Sequence, residues 1–277
     1  MKTDVIVVIG AGGIGSAIAR RQGFGRTILL ADWNEAVLAS AAQALANAGY
    51  AVETQAVDVT QRASVKALAS KAAALGSVAQ VINTAGLSPN MASVEKVLEV
   101  DLYGSAVVFE EFGEVIAPGG AGLIISSMAG HMMRQLPEED EKRLAHTPAD
   151  ELLALPFLQA DAIPNTLVAY MVAKRANFLR VQAEAMRWGE RGARVNAISP
   201  GIIVTPLAAH ELNSEIGDIY RGMVAASPSK RMAPPEEIAI AAGFLLGPDA
   251  GFITGSDLLI DGGVIAAMRA GKLPTPG

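Results

Sequence analysis

The sequence predicts an α/β fold, a single doubly wound and mainly parallel sheet with helices on both faces. Three observations carry that prediction. Short apolar runs rich in Val, Ile and Leu alternate with Ala-rich stretches that close on glycine, at Gly49 and Gly76, which is the strand-and-helix rhythm of a parallel sheet. The first apolar run, Val5 to Ile9, passes directly into Gly10-Ala11-Gly12-Gly13-Ile14-Gly15 and then into the helix-like Ser16 to Arg20. Finally, Gly10, Asp32, Asp58 and Asn83 each stand where an apolar run stops, and ligands of open α/β sheets collect at the carboxyl ends of strands.

Bulk composition agrees with this architecture and excludes several function classes. Hydrophobic residues make up 51% of the chain and aromatics 5%, a balance suited to strands buried on both faces by small-residue helices. With 277 residues and no linker, residues 1–277 read as one domain. The net charge of −6 argues against a nucleic acid or an anionic membrane as partner. No apolar run approaches the roughly 18 residues that a membrane span needs, and the five-residue run after Met1-Lys2 is too short for a secretory leader. A chain with 0 Cys has no disulfide or thiol chemistry, which suits a cytoplasmic location. His131, His146 and His210 lack metal-ligand spacing, so no metal site is expected.

The elements justify themselves in order. In the first turn, Gly10, Gly12 and Gly15 satisfy G-x-G-x-x-G: one glycine for the bend, one for the approach of a pyrophosphate, one for close helix packing. The second strand, Thr27 to Ala31, ends at Asp32, whose carboxylate can accept both hydroxyls of an adenosine ribose and would repel a 2′-phosphate. No Arg or Lys follows in Trp33-Asn34-Glu35, so the implied cofactor is NAD rather than NADP. Asp32 could equally cap the helix expected over 34–47. A third strand, Ala51 to Val57, stops at Asp58-Val59; a helix over 61–75 follows, then the strand Val78 to Ile82 and Asn83-Thr84-Ala85-Gly86. One long helix is expected over 93–117, and the strand Leu123 to Ile125 delivers Ser126-Ser127 to the same crevice.

Tyr170 and Lys174 stand one helical turn apart, so both leave the same face and an ammonium can sit beside a phenol that gives or takes a proton. Bringing a phenol from about 10 to near neutrality asks for about 4 kcal/mol, which Lys174 and a cationic nicotinamide ring can supply. With 4 Tyr in the chain, Tyr-x-x-x-Lys arises by chance on the order of 0.1 times, so the pattern counts only beside a nucleotide site and a positioned hydroxyl. Along the helix that continues to Trp188, Arg175, Arg180, Glu184 and Arg187 are expected on the exterior. A proline and two acids begin a later helix, from Pro234 to about Leu246, and Ser256 to Ile260 is the last strand. The tail, 264–277, is expected to have no core of its own: frayed, or laid over a neighbouring subunit.

Taken together, these motifs resemble the short-chain dehydrogenase/reductase family along nearly the whole chain. The residues that carry the resemblance are Gly13-Ile14-Gly15, Asn83-Thr84-Ala85-Gly86, Ser127 with Gly130, Tyr170-x-x-x-Lys174, Asn196 to Gly201 and Asp261-Gly262-Gly263. The resemblance implies a seven-stranded Rossmann-like domain in which Tyr170 is the acid/base, Lys174 holds the nicotinamide ribose and Ser127 orients the substrate oxygen. It further implies that Asp58 and Val59 meet adenine, that Asn83, Ala85 and Gly86 close the cofactor groove, and that Pro200, Gly201, Ile203 and Thr205 embrace the nicotinamide end. Partners implied are a small alcohol or ketone substrate and further copies of the chain, as a dimer or tetramer.

Three departures from the family pattern stand out. The glycine turn is one residue tighter than usual. Asp101 stands where the family commonly carries an Asn that relays protons toward the lysine, and is placed in the catalytic set on that ground. Ser127 and Tyr170 are 43 positions apart, far more than in most members. The insertion responsible, at about 131–165, carries the charge run Glu138 to Arg143, read as a solvated face, and a leucine-rich turn through Leu158. Lying between two catalytic residues, it reads as a lid or an oligomer contact. It resembles the same region of bacterial 3α-hydroxysteroid dehydrogenase/carbonyl reductases, which implies a hydrophobic cyclic, steroid-like substrate. Met128, Met132 and Met133 are candidates to line that pocket, His131 is a less favoured proton carrier, and 206–229 is the expected substrate loop. Two other readings stand beside this one: a nucleotide-binding regulatory or scaffold protein, suggested by Asp101 and the insertion, and an NADPH-dependent carbonyl reductase.

Overall fold

The computed structural model describes residues 3–90, 92–133, 136–159, 162–205, 208, 212 and 217–274. Seven strands form one parallel sheet in the order β3-β2-β1-β4-β5-β6-β7. They are β1 Asp4–Ile9, β2 Thr27–Asp32, β3 Ala51–Ala56, β4 Ser77–Asn83, β5 Ile116–Ile125, β6 Arg194–Pro200 and β7 Asp257–Ile260. Within β1 every residue from Val5 to Ile9 is fully buried, and side chains of a strand alternate between its two faces. Val5, Val7 and Ile9 therefore join one apolar core and Ile6 and Val8 the other. That is why the run is continuously hydrophobic instead of alternating.

Helices α1 Gly13–Gln22 and α2 Glu35–Asn47 cover one face, and α3 Arg62–Leu75 the other. The cap of α2 is Asn34, whose side chain accepts from the amides of Ala36 and Val37 at 3.1 Å each, so Asp32 is not the capping residue. The strand order reverses between β1 and β4, which opens a crevice at the carboxyl edge of the sheet.

Several expected elements are corrected. The helix expected over 93–117 is three pieces, α4 Val94–Val97, a π-helical segment Leu98–Gly104 and α5 Ser105–Gly113. Strand β5 begins at Ile116, earlier than expected, because its first half, Ala117-Pro118-Gly119-Gly120, has a register shift against β4 in place of an apolar run. The insertion folds as α6 Ala129–Met132, α7 Glu138–His146, α8 Ala149–Leu152 and a short 3-10 turn at Pro156–Leu158. It packs on the long helix α9 Thr166–Glu190. Leu144, Ala149 and Leu152 are fully buried in the main core, and Glu141 of the charge run is ion-paired with Arg175. Arg180 and Glu184, expected outside, are buried at 2% and 8% exposure, Arg180 against the insertion and Glu184 beside Arg187. Arg180 donates to the carbonyls of Leu144 (3.0 Å) and Thr147 (2.8 Å).

The remaining helices are α10 Gly217–Ala226, α11 Pro235–Leu246 and α12 Val264–Arg269. The last of these corrects the frayed tail: Val264, Ile265, Ala267 and Met268 are buried, and Val264, Ile265 and Met268 pack with Met128, Ile202 and Met223. Of the expected substrate loop, α10 and the residues after it are described; His210 lies outside the described residues. Among the described residues no helix is long and apolar enough to cross a membrane.

Candidate active site

The glycine turn between β1 and α1 is built for backbone proximity. Gly10 has φ +97°, in the left-handed region, and a Cβ there would lie 2.4 Å from the Thr84 hydroxyl. A Cβ on Gly15 would lie 1.9 Å from the Gly10 carbonyl, so the helix could not pack as it does. Gly12 has open space in front of it, at the amino end of a 10-residue helix, where backbone amides favour an anion. Thr84 pins the bend by donating its hydroxyl to the carbonyl of Gly10 at 2.9 Å, a role that spacing alone did not assign. On the rim, Asp32 Oδ2 accepts from the Ala11 amide at 2.7 Å and Oδ1 from the Asn34 amide at 2.8 Å. The carboxylate is thus fixed at the mouth of the turn.

Further along the groove the expected residues separate. Asp58 is exposed, with its carboxylate accepting from the amide and hydroxyl of Thr60 at 2.9 and 2.7 Å. Val59 is buried, with its side chain in the main core beside Gly104. Asn83 is buried and accepts from the Ala85 amide at 3.1 Å, setting the turn that leads to Gly86. A Cβ on Gly13 would meet the Thr205 methyl at 3.1 Å, so the loop after β6 lies directly across the first turn of α1. These residues fit a dinucleotide: the open helix end at Gly12 could take its pyrophosphate and the fixed Asp32 carboxylate its adenosine ribose.

Beside them lies a cavity of about 650 Å³. Ser127, Tyr170 and Lys174 line it together with Ile14, Gly86 and Thr205, which brings the three catalytic candidates and the turns expected to hold a cofactor to one place. Their placement follows from the fold. Ser127 follows β5 at the carboxyl edge, and its Oγ accepts from the Ala129 amide at 3.1 Å. Ser126 donates to the Lys174 carbonyl at 2.6 Å, which ties α9 to the end of β5. On α9 the Lys174 ammonium lies 5.3 Å from the centre of the Tyr170 ring. It also lies 2.8 Å from Asp101 Oδ1, within an ion pair that is almost wholly buried. Burial pulls the Lys174 pKa down, but the Asp101 carboxylate and, after it, Tyr170 together more than offset this and hold it above the ordinary lysine value. For Asp101 burial dominates and raises the carboxyl pKa, against the pull of Lys174 and the Leu87 amide.

The rest of the cavity wall is mostly apolar, with Ser88, Asn90 and Tyr220 among its polar members. Met128 and Met132 line it as expected, whereas Met133 packs into the main core. Sequence reasoning missed Tyr220 and Met223 of α10 and Met268 and Leu273 of the tail, all of which face the cavity. A signal for the first pair existed in the helical spacing of Ile219, Tyr220 and Met223. His131 is not a proton carrier here: its Nε2 meets Asp257 Oδ2 at 2.7 Å and its ring stacks on Phe178, away from the cavity. The lid reading of the insertion is corrected as well. Among the described residues of 131–165 only Met132 reaches the cavity. No cluster of metal-ligating side chains is present among the described residues.

Comparison with known proteins accords with this geometry. The family model described as short chain dehydrogenase matches residues 4–136, and one described as enoyl-(acyl carrier protein) reductase matches 143–265. The short-chain dehydrogenase/reductase bsc3 of Alternaria brassicicola is 40% identical over 267 residues, covering 96% of this chain and 97% of that protein. Galactitol 2-dehydrogenase (L-tagatose-forming) of Cereibacter sphaeroides is 31% identical over 92% of both chains. The 3-alpha-hydroxysteroid dehydrogenase/carbonyl reductase of Comamonas testosteroni is 30% identical, over 67% of this chain and 72% of its own. A short-chain type dehydrogenase/reductase structure from Mycobacterium ulcerans superposes with a TM-score of 0.75 at 23% identity, over 95% of this chain and 90% of that one, which concerns the fold alone. The chain is a member of the short-chain dehydrogenase/reductase family, an oxidoreductase of alcohols and ketones that works with a nicotinamide cofactor.

Proposed function

We propose that the protein transfers hydride reversibly between NAD(H) and a secondary alcohol or ketone carried on an apolar, cyclic, steroid-like skeleton. The observation that carries this reading is the shared cavity: Ser127, Tyr170 and Lys174 line it together with a mostly apolar wall that includes Met128, Met132, Ile202, Met223 and Met268. In oxidation Tyr170 takes the hydroxyl proton of the substrate. Ser127 holds the oxygen by a hydrogen bond, and Lys174 holds the nicotinamide ribose and favours the phenolate. A nicotinamide held there would supply the hydride acceptor for oxidation and the hydride donor for reduction. Geometry supplies most of the rate, because the alcohol is presented to base and cofactor at once.

The preference for NAD rests on Asp32. Its carboxylate is held by two backbone amides at the mouth of the turn, where a 2′-phosphate would meet a like charge. One set of measurements tests both parts. Tyr170→Phe should bind NADH as the natural protein does while losing alcohol oxidation by about 100- to 10,000-fold. NADH should bind roughly 100-fold more tightly than NADPH by fluorescence titration, a difference of about 2.7 kcal/mol. Near-normal turnover by Tyr170→Phe would remove the catalytic assignment, and tighter NADPH would make the protein an NADP-type reductase.

A further inference from the structure

Lys174 is not alone in its buried position. Asp101, on the π-helical segment and fully buried, places Oδ1 2.8 Å from Lys174 Nζ while Oδ2 accepts from the Leu87 amide at 3.0 Å. Gly86 completes the enclosure: a Cβ there would lie 2.6 Å from Asp101 Oδ1 and 3.1 Å from Lys174 Nζ. Three segments, the loop after β4, the π-helical segment and α9, therefore close around one ion pair. A π-helical segment is an uncommon backbone that recurs at functional sites, and this one carries the carboxylate.

We infer that Asp101 is a positioning residue that sets the pH range of the reaction by compensating the charge of Lys174. An unpaired ammonium beside a phenol stabilises the phenolate strongly. A carboxylate bonded to that ammonium cancels much of this effect, so Tyr170 gives up its proton at higher pH. The same carboxylate keeps the buried ammonium charged at high pH, in line with the direction of the Lys174 pKa. Both limbs of the pH profile thus lie further to the alkaline side than a neutral residue at 101 would leave them.

Other charges around Lys174 have partners elsewhere. On α9, Arg175 pairs with Glu141 of α7, and Arg180 with Glu110 of α5. On the π-helical segment Glu99 meets Lys96, and Tyr103 donates to Asp150 at 3.2 Å. His131 of α6 is bound to Asp257. Among the described residues, Asp101 is the acid ion-paired with Lys174.

The inference rests on Tyr170 being the acid/base, and the test separates the two. Rates of cyclohexanol oxidation by the full chain with saturating NAD would be followed against pH for the natural protein, Asp101→Asn and Tyr170→Phe. In Asp101→Asn both limbs should move to lower pH by about 1 unit or more, the direction and order of size expected when a nearby opposite charge is removed. Without cofactor, the ultraviolet titration of tyrosinate, taken as the difference between Asp101→Asn and Asp101→Asn/Tyr170→Phe, should show Tyr170 ionising earlier than in the natural background. A merely structural role would lower the rate and leave both titrations in place. Asp101→Ser repeats the test if Asp101→Asn does not fold, and failure of both to fold would assign the carboxylate to stability and overturn the inference. An unshifted profile in a folded variant overturns it too. Turnover by Tyr170→Phe would instead overturn the assignment of Tyr170 itself.

Discussion

The insertion and the carboxyl-terminal tail make an instructive pair. In sequence the insertion lies between Ser127 and Tyr170, and the tail lies after every catalytic candidate. In space their relation to the cavity is reversed. Of the described insertion only Met132 faces the cavity, whereas Met268, Leu273 and Pro274 of the tail form part of its wall. The reason is the surface that each segment must cover. Leu144, Ala149 and Leu152 find theirs along α9 and α5, on the flank of the sheet. The tail leaves β7 at the carboxyl edge, where Gly262 and Gly263 (φ +63° and +89°) turn it back toward α10. A Cβ on Gly263 would lie 2.6 Å from the Pro228 ring, so only glycine permits that return. Position between catalytic residues does not place a segment at the site; the strand edge it leaves and its apolar side chains do.

The sharpest way to break this comparison is to loosen the insertion without touching the cavity. Arg180 is 2% exposed and joins α9 to the carbonyls of Leu144 and Thr147 and to Glu110, which also accepts from the Ala149 amide at 2.9 Å. Arg180→Met leaves the Glu110 carboxylate short of a partner and two carbonyls without theirs. Urea unfolding should show a loss of about 3 to 5 kcal/mol. The KM for a cyclic alcohol should stay within about twofold, since the interactions removed do not touch substrate. A large KM change at intact stability would restore the lid.

The tail should show the opposite pattern at smaller amplitude. Leu273 is only partly buried, so Leu273→Ala should leave stability nearly unchanged. Its effect belongs to substrate: kcat/KM for a bulky polycyclic alcohol should fall about 10-fold or more, on the order of 1 to 3 kcal/mol, and far less for cyclohexanol. Met268→Ala should deepen that selectivity while also costing stability, because its side chain is packed against the same apolar cluster. Equal losses on small and bulky alcohols would mean that the tail does not set specificity.

What the sequence made legible, and what it did not, follows the same division. Local signals were read well. The continuous apolar run of β1, the glycines of the first turn and the one-turn spacing of Tyr170 and Lys174 each depend on neighbours within a few residues. The fold then brings them together in the order that parallel-sheet topology demands. What failed depended on distant partners. Arg180 looks like a surface charge until the insertion covers it. The side chain of Val59 packs against Gly104 of the π-helical segment, a contact distant in sequence that spacing does not reveal. The Asp101–Lys174 pair joins residues 73 positions apart in sequence, and only the π-helical register reveals that the carboxylate faces the ammonium.

The smallest effect concerns the hinge between the two regions. His131 begins the insertion, yet its ring is held against β7 and α9: Nε2 lies 2.7 Å from Asp257 Oδ2, the Ser199 hydroxyl donates to the same carboxylate at 2.8 Å, and Phe178 stacks at 5.0 Å. A proton carrier would have to reach the cavity, and His131 does not line it; its ring is instead held by Asp257 and stacked on Phe178. His131→Asn should therefore leave kcat and its pH profile within about twofold of the natural values. The cost should appear in stability, at up to about 1 kcal/mol, because the pair is partly open to solvent. A loss of turnover confined to one limb of the pH profile, with thermal stability unchanged, would instead bring the start of the insertion into the proton path and weaken the contrast with the tail.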